Sequence, residues 1–117
     1  SAANDLTCVL AMVETAQAIS NLDDILGMDG IDGVFVGPYD MSINLSGGKV
    51  GGASDPDVVD ALPQIVASAL KHEKISGIYA SGSEQARSFA ALGFNLVSAT
   101  SDAGLIAAGT KTVLGGI

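Results

Sequence analysis

The stretch Gly30-Ile31-Asp32-Gly33-Val34-Phe35-Val36-Gly37-Pro38-Tyr39-Asp40-Met41-Ser42 sets an apolar run of strand length between glycines and closes it on Gly-Pro. A run that is apolar at every position fits a strand covered on both faces rather than one with a solvated side. The residue before a proline is biased away from helical backbone, so the strand is expected over Gly33 to Val36. Upstream, Thr7 to Val13 is a second such run, and Glu14 ends it abruptly. Thr15 then caps a helix that places Ile19, Leu22, Ile25 and Leu26 on one face, with Gly27 and Gly30 as stop signals.

Downstream, a long loop is expected from Tyr39 to Asp55, where Asp55-Pro56 reads as a helix cap with proline in the first helical position. The helix it opens turns Val59, Leu62, Ile65, Val66, Ala69 and Leu70 inward and accommodates Pro63 by a kink. Ser76 to Ala80 is the third strand, followed by a helix from Ser83, its cap, to Leu92, which Gly93 terminates. Phe94 to Ala99 is the fourth strand, and Ser101 caps a last helix over Asp102 to Leu114. Strand alternating with helix four times is the pattern of an α/β protein built on a parallel sheet.

The 117 residues are 48% hydrophobic and carry five Lys and Arg against thirteen Asp and Glu, a formal net charge of -8. That composition fits an acidic globular domain and argues against disorder. Five scattered cations cannot line a phosphate backbone, so neither nucleic acid nor an anionic membrane is an expected partner. No apolar run approaches the roughly 20 residues of a membrane span. Cys8 is the lone cysteine and has no intrachain partner, which makes a cytoplasmic setting the default. Ser1 to Asp5 shows no signal-peptide features and reads as an interior start.

Most acids fall on helix surfaces or first turns, Asp23, Asp24, Asp57, Asp60 and Glu84 among them. Glu14 and Asp40 differ, because each follows a buried strand and so projects at the C-terminal edge of the sheet, where α/β proteins bind ligands. Neighbouring parallel strands lie about 4.8 Å apart. Two carboxylates there can share one divalent cation held by oxygen at about 2.0–2.6 Å. The plain alternatives are a solvated strand-end acid, or an Asp40 that caps its own turn through Ser42. Gly47-Gly48-Lys49-Val50-Gly51-Gly52 lacks the spacing of a phosphate-binding loop and reads as a mobile lid or connection. His72 is expected at a helix C-terminus on the far edge of the sheet, Cys8 as a small buried hydrophobe, and the three phenylalanines in the core.

Ala11-Met12-Val13-Glu14-Thr15, the stretch from Gly30 to Ser42 and the spacing between them resemble the C-terminal half of the HpcH/HpaI aldolase family, metal-dependent class II pyruvate aldolases. The resemblance extends more weakly through Gly77-Ile78 and Ala91-Leu92-Gly93-Phe94, and so covers essentially the whole chain. It implies a TIM barrel of eight βα units, of which residues 1–117 would be a single partial domain, units five to eight. It further implies that Glu14 and Asp40 are the carboxylate ligands of Mg²⁺, Mn²⁺ or Co²⁺. The ion would stabilise the enolate formed when a 2-keto acid is cleaved to pyruvate and an aldehyde. Gly37, Pro38, Tyr39 and Asp40 would bind substrate, the backbone N–H groups of Tyr39 and Asp40 taking the pyruvate carboxylate.

Two departures stand out. Met12 occupies a position where many relatives carry glutamine, and a thioether neither donates a hydrogen bond nor suits Mg²⁺. The family's arginine and histidine belong to the N-terminal half; Arg87 and His72 are misplaced to replace them, so the chain alone is expected to be inactive and its catalytic residues are unassigned. A non-catalytic half-barrel module and a citrate lyase β-type acyl-lyase are the other readings. Four strands alone would leave two unpaired edges and a face exposing Val, Ile and Phe. The expected resolution is a longer polypeptide, with edge-to-edge pairing of two copies or rearrangement to a doubly wound sheet as alternatives. The family resemblance also implies a homo-oligomer, a trimer or hexamer.

Overall fold

A computed structural model describes residues 2–115; Ser1, at the expected interior start, lies outside the described residues. The four strands are β1 (Leu10–Val13), β2 (Gly33–Val36), β3 (Ile75–Tyr79) and β4 (Leu96–Ser98). They form one sheet in the order β1-β2-β3-β4, every neighbouring pair parallel. The helices are α1 (Ala16–Ser20), α2 (Leu22–Leu26), α3 (Pro38–Ser46), α4 (Pro56–Lys71), α5 (Ser83–Leu92) and α6 (Asp102–Leu114), with short 3-10 turns at Asn4–Leu6 and Gly52–Ser54. Sequential order with parallel pairing is the connectivity of consecutive βα units.

The register separates the two faces of the sheet. Val13, Val36, Ile78 and Val97 lie in one row across all four strands. The first three are fully buried and cluster with Leu22 and Leu26 of α2, Met41 of α3, Val58, Leu62, Ile65 and Ala69 of α4, and Phe89 of α5. The adjacent row, Met12, Phe35, Gly77 and Leu96, points to the opposite face. There Met12 is 54% and Leu96 42% exposed, and the Phe35 ring lies against Gly77, where a Cβ would strike it. The open face is thus real, and its apolar content is Met12, Leu96 and, half-buried, Leu10, Phe35, Ile75 and Tyr79. Of the Val, Ile and Phe expected there, Phe35 and Ile75 are on that face, whereas Val13, Val34 and Val36 face the helices. A radius of gyration of 16.1 Å, against about 13 Å for a compact chain of this size, reflects this one-sided architecture.

Local differences from the sequence reading have local causes. β1 starts at Leu10, not Thr7, because the Thr7 hydroxyl turns back to the Ala3 carbonyl (2.8 Å). Cys8 therefore precedes the strand and is exposed rather than buried. The first helix divides at Asn21, whose N–H bonds back to Gln17 and Ile19, although Thr15 caps it as expected through Ala18 N–H. The expected Tyr39-to-Asp55 loop is largely α3: Pro38 after a strand opens a helix as readily as it ends a strand. α4 continues through Pro63, whose missing N–H falls opposite Val59 on the solvent side. Its inward residues are Val58, Leu62, Ile65 and Ala69, while Val59 and Leu70 point outward. Gly82, not Ser83, occupies the cap of α5. The Phe89 and Phe94 rings meet edge to face in the core, their centroids 6.0 Å apart. Ser101 caps α6 as expected, yet no residue of α6 is buried. Among the described residues no helix is long and apolar enough to cross a membrane.

Candidate active site

β1 and β2 end side by side, with Val13 paired to Val36 and the Gly37 N–H donating to the Val13 carbonyl at 3.3 Å. The next residues, Glu14 and Gly37, are therefore neighbours at the C-terminal edge. Gly37 caps α3, and Pro38 opens it without a donor to satisfy. The first intrahelical bond runs from Met41 N–H to the Gly37 carbonyl at 2.9 Å, so the N–H groups of Tyr39 and Asp40 precede it and have no acceptor within the helix. Asn44, one turn further on, accepts from Ala16 N–H at 2.9 Å, binding the helix that carries Asp40 to the segment that carries Glu14.

Met12, Glu14, Phe35, Gly37, Pro38, Tyr39, Asp40 and Tyr79 line one cavity of about 260 Å³. Every expected site residue, Glu14 and Gly37 to Asp40, is brought together here. Among the described residues no hydrogen bond or ion pair takes up either carboxylate. The turn-capping alternative for Asp40 does not hold: the Ser42 hydroxyl donates to the Tyr39 carbonyl (2.7 Å) and accepts from Gly51 and Gly52 N–H (3.0 and 2.9 Å). These bonds anchor Gly51 and Gly52, which favours the connection over the lid among the two expected readings of the glycine-rich stretch. A larger depression of about 580 Å³ beside the first turn of α5 contains a single acid, Glu84.

A close approach shapes the carboxylate end. A Cβ at Gly37 would come to 3.0 Å from Glu14 Oε2 and 3.5 Å from Met12 Sδ, so any larger residue there would push the Glu14 carboxylate by a few tenths of an ångström. Hard carboxylate oxygens suit Mg²⁺ or Mn²⁺. No group of three or more His, Cys, Asp or Glu among the described residues could enclose an ion. Two carboxylates nevertheless fit a cation of the Mg²⁺ kind, which keeps several waters and binds through one or two carboxylates plus substrate oxygens.

Neither alternative polar group is at this site. His72 caps the far end of α4 and contacts Asp23 at 3.1 Å, and Arg87 is exposed on α5. The sequence reading missed Tyr79, whose ring centroid lies 6.3 Å from that of Tyr39, and placed Phe35 in the core rather than at the cavity wall. Strand alternation carried the signal for both: Tyr79 is two residues beyond Gly77, and Gly77 pairs with Phe35.

The sequence profile described as HpcH/HpaI aldolase/citrate lyase matches residues 1–108. The chain is 35% identical over 112 residues to a hydroxypyruvate/pyruvate aldolase of Rhizorhabdus wittichii, covering 96% of this chain and 45% of that one. It is 39% identical over 103 residues to a 5-keto-4-deoxy-D-glucarate aldolase of Shigella dysenteriae, covering 88% and 40%. Its fold superposes with a TM-score of 0.84 on an HpcH/HpaI aldolase/citrate lyase family protein of Burkholderia cenocepacia at 28% identity, covering 92% of this chain and 41% of that one. The chain thus spans less than half the length of the relatives it matches. With four consecutive parallel βα units, a shared sequence profile and a common fold, it belongs to the HpcH/HpaI aldolase/citrate lyase family.

Proposed function

We propose that this chain forms four of the eight βα units of a metal-dependent carbon–carbon lyase that cleaves a 2-keto acid reversibly to pyruvate and an aldehyde. The observation that carries the proposal is the placement of Glu14 and Asp40 in one cavity beside the donor end of α3. Glu14 and Asp40 would hold Mg²⁺, Mn²⁺ or Co²⁺. When bound, the cation supplies positive charge where a 2-keto acid develops negative charge during cleavage. The Tyr39 and Asp40 N–H groups orient the keto acid by its carboxylate, with the helix dipole in support. Met12 and Phe35 present apolar surface beneath it, which limits competition from water. In the cleavage direction the C3–C4 bond breaks, the C4 hydroxyl loses its proton as the aldehyde forms, and the electron pair stays on the three-carbon fragment. That fragment takes up a proton at C3 and leaves as pyruvate. The group that accepts the hydroxyl proton belongs, on this reading, to the other units of the barrel, because His72 and Arg87 are remote from the cavity.

A cytoplasmic homo-oligomer accompanies the proposal. The exposed, unpaired Cys8 suits a reducing compartment, and the bare sheet face and unpacked α6 leave apolar surface to cover. The remoteness of His72 and Arg87 favours one second reading, a half-barrel that assembles without turnover. Calorimetric titration of the complete polypeptide with Mn²⁺, combined with an assay for its release of pyruvate from 4-hydroxy-2-keto acids, separates the two. Metal binding lost in Glu14→Gln and Asp40→Asn, with pyruvate released by the wild type, is expected. Unchanged binding in both variants would refute the site.

A further inference from the structure

Ser42 lies three residues after Tyr39 and is fully buried, and its hydroxyl uses every hydrogen-bonding position it has. The oxygen accepts from the Gly51 and Gly52 N–H groups at 3.0 and 2.9 Å. With both acceptor positions taken, the proton goes to the Tyr39 carbonyl at 2.7 Å. Gly51 is in the right-handed helical region and Gly52 is at φ +60°, the alternation that turns successive N–H groups onto one atom. Such a nest draws electron density from the oxygen it holds, and so strengthens the Ser42 O–H as a donor.

The Tyr39 carbonyl and the Asp40 N–H belong to one planar peptide unit, in which the two groups point in opposite directions. A hydroxyl that fixes the carbonyl therefore fixes the line along which the Asp40 N–H leaves the first turn of α3. That N–H has no acceptor within the helix. From the two glycine N–H groups through the Ser42 hydroxyl to the Tyr39 carbonyl, and across the peptide to the Asp40 N–H, all donors point the same way and each bond polarises the next. Every member lies between Tyr39 and Gly52, so the chain of bonds is complete without the remaining units of the barrel. We propose that Ser42 is the positioning residue of the carboxylate-binding end of α3, and that its hydrogen bonds orient and polarise the Asp40 N–H for the carboxylate of the keto acid. The proposal rests on the lyase reading above and names a residue outside the cavity on which the grip on that carboxylate depends.

The test is calorimetric titration of the complete, Mn²⁺-loaded polypeptide with pyruvate and with pyruvamide, which keeps the keto group and replaces the carboxylate by an uncharged amide. Ser42→Ala should weaken pyruvate binding about tenfold and pyruvamide binding by no more than about twofold, because bonds to a charged acceptor are the stronger ones. A merely structural role would weaken both alike. Mn²⁺ affinity, measured alongside, should stay within about threefold of wild type and verifies the fold. Ser42→Cys, close to serine in shape but a weak donor, should lose pyruvate affinity in the same direction. In the wild type, loaded with diamagnetic Mg²⁺ for nuclear magnetic resonance, pyruvate should move the Asp40 amide proton downfield, and pyruvamide should move it less. Should Ser42→Ala fail to fold, Ser42→Cys and the wild-type amide shift decide the same question. Equal losses for the two ligands, an unchanged pyruvate affinity, or an Asp40 amide that ignores pyruvate would overturn the role of Ser42. Failure of pyruvate to bind the Mn²⁺-loaded wild type would overturn the lyase reading itself.

Discussion

One acidic side chain at the far end of this sheet and two at its C-terminal edge have surroundings that differ in kind. At the far end, Asp23 of α2 is surrounded by partners from α4: the Lys71 ammonium at 2.8 Å, His72 Nε2 at 3.1 Å and the Ser68 hydroxyl. The hydrogen bond from Lys71, then that from Ser68, hold its carboxyl well below the usual carboxylate range. At the C-terminal edge, Glu14 and Asp40 share a cavity with each other and, among the described residues, with no cationic side chain. A carboxylate that spends its charge on its own fold serves structure. A pair without a partner among the described residues, beside two N–H groups that have no acceptor within the helix, leaves its charge available to a ligand.

The contrast is broken most directly at the edge. Asp40→Asn or Glu14→Gln removes one of two anionic ligands, and Mn²⁺ affinity should fall by about 100-fold or more in calorimetric titration. Thermal stability without metal should change by no more than about 0.5 kcal/mol, or rise slightly, because neither carboxylate has a partner to lose. A large loss of stability in either variant would show that the edge carboxylates are structural after all. In these 117 residues the readout can also be optical: they hold two tyrosines and no tryptophan, and both tyrosines line the cavity.

Ser42→Ala tests the frame of the same edge. It leaves the Gly51 and Gly52 N–H groups without their shared acceptor, and Gly52 is buried. Denaturant unfolding should show a loss of about 1–3 kcal/mol. Gly37→Ala is gentler on stability but acts on the ligands, since its methyl would crowd Glu14 Oε2. A drop of about tenfold in Mn²⁺ affinity is expected, with Asp40 still in place.

The edge was more legible in the sequence than the far end. Continuous apolar runs and a Gly-Pro stop placed β2 at its observed bounds, and strand-end position alone singled out Glu14 and Asp40. Such signals are local, because a strand end fixes where the next side chain projects. α3 was hidden because Pro38 is compatible with both a strand stop and a helix start, and the residues after it, Tyr39 to Ser46, alternate polar and apolar without a strong stripe. Val58 and Val59 are adjacent valines on one helix, and only packing decides which of them turns inward. The Asp23 cluster depends on α2 meeting the C-terminal turn of α4, about 45 residues later, which no spacing in the chain announces. Tyr79 was missed for a related reason: its proximity to Tyr39 depends on strand pairing and on the loop that Ser42 holds.

The smallest expected effect tests the far end. Because the folded-state pKa of Asp23 is depressed, its contribution to stability is fully present above the ordinary aspartate range, about pH 4, and fades as pH falls below it. Wild type should therefore have a slightly higher thermal midpoint than Asp23→Asn near pH 6, and the two should converge as the solution is acidified towards pH 2. Asp23 and Lys71 are both largely exposed, so the difference should also shrink in 1 M salt, where charges are screened within about 3 Å. If Asp23→Asn matched the wild-type midpoint near pH 6 in low salt, the view of Asp23 as a carboxylate committed to the fold would not stand.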